Sequence, residues 1–140
     1  MSKLLLALPG TTIEITPLDR FFFTRVTGLW TDEVVLKVIE QLNPLIDAIP
    51  DSHIRVLDLS GIQPGGFLIT AAIVERASSW ARQVNERKPG SLSYLVSPTT
   101  LSFAMGRMYA MHANLEASGI AIIRSLDDLP PEIRAKLPTE

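Results

Sequence analysis

The chain contains no cysteine, so it has no disulfide, no thiolate nucleophile and no sulfur ligand for zinc or an iron–sulfur cluster. A reducing cytoplasm fits that composition. Histidine is nearly as scarce: His53 and His112 are the two side chains whose ordinary titration lies near neutral pH. They fall on different predicted elements, one just before a strand and one in a helix, and neither has flanking carboxylates that suggest a metal or a triad. Basic charge is also short, because 13 Lys and Arg against 15 Asp and Glu leave a formal net charge of −2. Nucleic acid selects a clustered basic excess and is therefore not an expected partner. No run approaches the ~20 apolar residues that span a bilayer, so no transmembrane segment is expected. The apolar start from Leu4 to Leu8 meets Pro9-Gly10 too early for a secretion signal and predicts an extended edge segment or ordered arm.

What remains is 140 residues, 46% hydrophobic and 20% charged, the balance of a single globular domain with one core. Ile13-Glu14-Ile15-Thr16, a turn at Pro17-Leu18-Asp19 and the run Phe21 to Val26 predict a hairpin. Three consecutive phenylalanines, Phe21, Phe22 and Phe23, must point to both sides of a sheet, so at least one lies under a helix or is exposed for a contact. Thr31 reads as the N-cap of a helix with Asp32 and Glu33 in its first turn. Val34, Val35, Val38, Ile39, Leu42, Leu45, Ile46 and Ile49 recur along its apolar stripe, and Pro44 is expected to kink it or end its regular part near Asn43. The run from Ile54 to Leu59 predicts a central strand buried on both faces, followed by a glycine turn. A second helix is expected from about Phe67 to Glu86, burying Leu68, Ala71, Ala72, Val74, Ala77, Trp80 and Ala81. A strand over 92–96 follows, then a third helix capped by Ser97-Pro98 and stopped by Gly119, a strand over 120–123 and a broken helix around Pro130-Pro131. The alternation predicts an α/β fold: one domain, with its core at about 11–135, and a mixed sheet of four or five strands carrying helices mainly on one face.

Chemistry is thinner than architecture. Asp58 interrupts the buried strand, and the plainest role for it is to accept backbone N–H groups from the following turn or to lie near a helix N-terminus. Gly65-Gly66 lacks the spacing of a phosphate cradle and reads as a turn pair. Thr70, one turn into the expected helix, reads as a hydroxyl bonded to a preceding carbonyl. Met105, Met108 and Met111, interleaved with Phe103 and Tyr109, make either a buried stripe or the wall of an apolar pocket formed by Met105, Met108, Tyr109 and Met111. No catalytic constellation, metal set or cofactor motif is visible, so the expectation is a protein that is not an enzyme.

Val56-Leu57-Asp58-Leu59-Ser60-Gly61-Ile62, the amphipathic helix after it, the next strand and the Glu116-Ala117-Ser118-Gly119 end of the third helix resemble the STAS fold of anti-sigma-factor antagonists. With Phe22-Phe23-Thr24-Arg25-Val26-Thr27-Gly28-Leu29-Trp30-Thr31 at the front, the order is similar to the SpoIIAA-like group of small bacterial proteins. The resemblance implies a non-catalytic regulatory or scaffolding module with a protein partner, a homodimer being one form of it. Antagonists of that family carry a turn whose serine is phosphorylated; here Gly66-Phe67-Leu68-Ile69 stands in its place, so no phosphoswitch is expected. The family's contact surface maps onto Gln63, Pro64, Gly65, Gly66, Phe67, Thr99 and Thr100, with Phe67 either an exposed anchor or a lid over the core. The fold also resembles lipid-binding CRAL-TRIO domains, which makes a carrier of a small apolar ligand the alternative.

Overall fold

Residues 3–112 and 119–138 are described by the computed structural model. Alternating and β-branched residues build three antiparallel strands first: β1 (Leu4–Leu8), β2 (Thr11–Leu18) and β3 (Phe21–Trp30). Three parallel strands then extend the sheet, β4 (Ile54–Phe67), β5 (Leu92–Val96) and β6 (Ile120–Ile123), and spatial order follows chain order throughout. The sheet thus has six strands rather than four or five, because the leading apolar run pairs fully with β2, from Leu4 opposite Ile15 to Leu8 opposite Thr11. Each parallel connection carries a helix: α1 (Asp32–Asp47), α2 (Ala71–Arg87) and α3 (Thr100–His112). Right-handed crossovers in a sheet whose order never reverses put all three on one face. There Ile13, Phe22, Val26, Val35, Leu42 and Val84 share one core. On the other face Leu129 and Ile133, flanking and within the short helix α4 (Pro131–Arg134), cover Phe21, Phe23, Val56 and Val96. All three phenylalanines are therefore buried, one under the helices and two beneath the C-terminal segment. Among the described residues no helix is long and apolar enough to cross a membrane.

Two local expectations change. β4 does not stop at Leu59 but continues through the glycines for fourteen residues, its far end pairing Phe67 with Trp30 after two register breaks. A Cβ on Gly66 would lie 2.8 Å from the Gly28 carbonyl oxygen, and one on Gly28 would lie 2.1 Å from that of Gly10. The glycines let neighbouring backbones close up where a turn was expected. As a result α2 begins at Ala71, with Thr70 as N-cap accepting from the Ile73 N–H at 3.3 Å, rather than at Phe67. Leu68 is left 57% exposed, Ala71 and Ala72 face solvent, and the buried stripe is Ile73, Val74, Ser78, Ala81 and Val84.

The caps of the other helices follow the same logic of local satisfaction. Thr31 caps α1 as expected, but the helix continues past Pro44 to Asp47. Pro44 and Glu40 are both exposed, so the carbonyl deprived of its N–H partner can be hydrated. Thr99, not Ser97, caps α3: its hydroxyl accepts from the Ser102 N–H at 3.1 Å while the Ser102 hydroxyl accepts from the Thr99 N–H at 3.2 Å. Ser97 is withdrawn into the core at the end of β5, where its N–H bonds the Ile123 carbonyl at 2.8 Å. The end of the expected third helix, residues 113–118 before its stop at Gly119, lies outside the described residues.

The crowding at Gly28 yields a paired test. Gly28 has φ +105° and no room for a methyl group, whereas Gly65 has φ +75° with nothing within 4 Å of an added Cβ. Gly65→Ala is expected to cost about 1 kcal/mol, the left-handed backbone alone, and Gly28→Ala more than ~2 kcal/mol, measured by urea denaturation. Equal losses would show that β3 and the β1–β2 turn are not packed backbone to backbone.

Candidate functional site

The helix face of β4 begins with an arginine. Alternation sends Arg55, Leu57 and Leu59 toward the helices and Val56 and Asp58 to the opposite face. Arg55 is 8% exposed, and its guanidinium lies over the Trp80 ring at 5.0 Å from the centroid. Trp80 is itself held by its indole N–H, which donates to Asn43 Oδ1 of α1 at 2.7 Å. Tyr109 of α3 lines the same cavity and attracts the guanidinium through its phenol. Among the described residues no carboxylate forms an ion pair with Arg55.

His53 supplies the remaining contact, and its tautomer follows from the hydrogen bonds around it. The Ser91 hydroxyl donates to the Lys88 carbonyl at 2.7 Å, so toward His53 it accepts, from the backbone N–H at 3.1 Å and from Nδ1 at 3.2 Å. Nδ1 therefore carries the proton, and the Nε2 lone pair accepts from Arg55 Nη1 at 2.8 Å. A second ring proton would point at the guanidinium. Burial, with the charges of Arg55 and Lys88 added, pushes the His53 pKa down to about 3. Burial lowers the pKa of Arg55 and raises that of Tyr109, each opposed by their mutual attraction. Ser91 and His53 touch as a nucleophile and base do, yet an arginine occupies the side where a triad places its acid and the serine proton is directed to a carbonyl.

Between Arg55 and the helices lies a cavity of about 100 Å³. Leu57, Leu59 and Leu95 form its floor, residues of α1 and α2 its walls, and Trp30 and Phe67 its far end. Arg55 to Leu59 covers about 13 Å of strand at ~3.3 Å per residue, and polar groups enter the lining from Thr24, Arg55, Ser93, Ser102 and Tyr109. Of the residues expected to wall a pocket, Met105 and Tyr109 line it, but Met108 and Met111 are 36% and 76% exposed and stand outside. Three-residue spacing drifts around a 3.6-residue turn, so the three methionines do not share one face. Gln63, Pro64, Gly65, Thr99 and Thr100 are exposed, Gly66 is buried, and Phe67 is half-buried against the core. Phe67 lies on a strand and borders the cavity, not in the first turn of a helix.

The polar residues singled out earlier find structural partners. Asp58 is buried on the closed face and accepts from the Ser60 N–H at 2.9 Å and from Arg25 Nε at 3.3 Å. Thr70 donates its hydroxyl to Asp32 Oδ2 at 2.7 Å, tying the starts of α1 and α2 together, rather than bonding a preceding carbonyl. The side chain of His112 lies outside the described set. Sequence reasoning placed Trp80 on the buried side of α2 without a role and missed Arg55, for which the available signal was a charge one residue into an otherwise apolar, doubly buried strand.

The His53 environment predicts a pH dependence of stability. The unfolded chain takes up the histidine proton below about 6.5 and the folded one only near 3, so stability present above pH 6.5 is lost as pH falls across that window. The slope is at most ~1.4 kcal/mol per pH unit. His53→Gln, which retains an acceptor toward Arg55, should lose about 2 kcal/mol less than the wild type between pH 7 and 4.5 in urea titrations. Parallel curves for the two proteins would mean that His53 titrates normally.

No protein-family model and no curated protein matches this chain.

Proposed function

We propose that this chain is a non-catalytic binding module that encloses a small apolar molecule between its sheet and its helices. The observation that carries the proposal is the cavity: about 100 Å³, walled mostly by leucine, valine, isoleucine and aromatic side chains, on the face of the sheet where three helices meet. Ligand sites in α/β folds share that construction, an apolar hollow with a few polar groups at fixed points. The arrangement of Ser91, His53 and Arg55 supports the non-catalytic part, since nothing there activates the hydroxyl. The resemblance to STAS and SpoIIAA-like proteins supports a regulatory setting, and that to CRAL-TRIO domains supports a carried ligand.

A protein partner is the second reading, favoured by Leu68, which is 57% exposed beside the exposed Gln63, Pro64 and Gly65. The two readings separate on neutral probes. Benzene and 1-hexanol should produce saturable methyl shifts at Leu57, Leu59 and Leu95 in NMR titrations. Ala77→Leu, which extends a lining side chain into the space, should weaken both probes at least tenfold and leave stability unchanged or raised by up to ~1 kcal/mol. Absence of saturable shifts at those methyls would end the ligand reading and leave the rim around Leu68 as the functional surface.

A further inference from the structure

A buried guanidinium without a carboxylate is an expensive feature for a strand to carry. Among the described residues Arg55 meets neutral groups: the His53 lone pair, the Trp80 ring and the Tyr109 phenol. A second positive charge acts on His53 as well, from Lys88, whose ammonium donates to the Ile49 carbonyl. On the same strand, three residues on, the chain does provide a partner for a buried charge: Asp58 receives Arg25 on the opposite face. The missing anion is thus confined to the face that carries the cavity, and Arg55 forms part of the cavity wall.

We propose that the cavity takes a small amphipathic carboxylate, its head on the Arg55 guanidinium and Tyr109 hydroxyl and its apolar part along Leu57, Leu95 and Trp80. The proposal rests on the ligand-binding reading above and adds the class of ligand. Arginine presents a planar fork that matches a carboxylate in two hydrogen bonds, and here Trp80 and His53 fix the fork in place. Size limits the tail: an apolar cavity of roughly 150 Å³ takes up six-carbon benzene, so the smaller space here suits a flexible chain of about four or five carbons beyond the head.

Hexanoate and 1-hexanol share a tail and differ in the head, so the wild-type protein can be tested directly by calorimetric titration at pH 7, with acetate as the head alone. Hexanoate is expected to bind at least tenfold tighter than 1-hexanol, and acetate at least tenfold weaker than hexanoate. Arg55→Met should reduce the preference for the acid to twofold or less while 1-hexanol still binds, and Tyr109→Phe should weaken hexanoate several-fold without affecting 1-hexanol. Equal affinities for acid and alcohol in the wild type would overturn the carboxylate inference and leave the cavity reading standing. Binding of neither would overturn both. Hexanoate bound as tightly by a folded Arg55→Met protein would place the head elsewhere and also end the proposal; should that variant not fold, the wild-type comparison and Tyr109→Phe still decide it.

Discussion

A permanent positive charge beneath the helices of the central strand constrains everything packed around it. Arg55 cannot be neutralised by losing its proton at ordinary pH, so its neighbours adapt instead. His53 stays neutral with its lone pair turned inward, Ser91 is oriented to support that tautomer, and Trp80 offers the face of its ring. Trp80 is in turn held from α1 through Asn43, and Tyr109 brings in α3. One side chain therefore links the loop before β4, the loop before β5 and all three helices on that face.

The two faces of the sheet deal with charge differently. Beneath the C-terminal segment, Phe21, Phe23, Val56 and Val96 are covered by Leu129 and Ile133, and the buried Asp58 is answered by Arg25 and the Ser60 N–H. Over those central strands that face is closed in both packing and electrostatics. The helix face is closed around its periphery by the large apolar cluster but retains a hollow over Leu57 and Leu95 with an unanswered guanidinium beside it. Since apolar interiors otherwise pack to near-crystalline density, a hollow adjoining a guanidinium that has no carboxylate among the described residues sets this face apart from the other.

Elements with strong local signals were legible in the chain. The β2–β3 hairpin, the Thr31 cap of α1, the start of β4, β5 and the broken C-terminal helix each depend on residues within one or two turns of each other. Where the reading failed, two local options competed and distant contacts chose between them. Gly61 to Gly66 reads as a turn because glycine and proline dominate it, but the pairing of Phe67 with Trp30 draws it out as strand and delays α2 to Ala71. Ser97 and Thr99 were both competent caps for α3, and burial of Ser97 against β6 left the role to Thr99. The methionines of α3 reveal the same limit, since spacing alone did not show that Met105 faces inward while Met111 faces solvent.

The sequence by itself determined the alternation of strands and helices, the absence of sulfur chemistry and the burial of the 54–59 strand, because composition and periodicity act over short stretches of chain. Only the tertiary structure decided that Arg55 has no carboxylate partner among the described residues and that a cavity lies beside it. A counter-charge is defined by neighbours in space, and here those neighbours come from Asn43, His53, Trp80, Ser91 and Tyr109, which span most of the chain. A cavity is the volume that such distant residues fail to fill, and no single stretch of sequence encodes it.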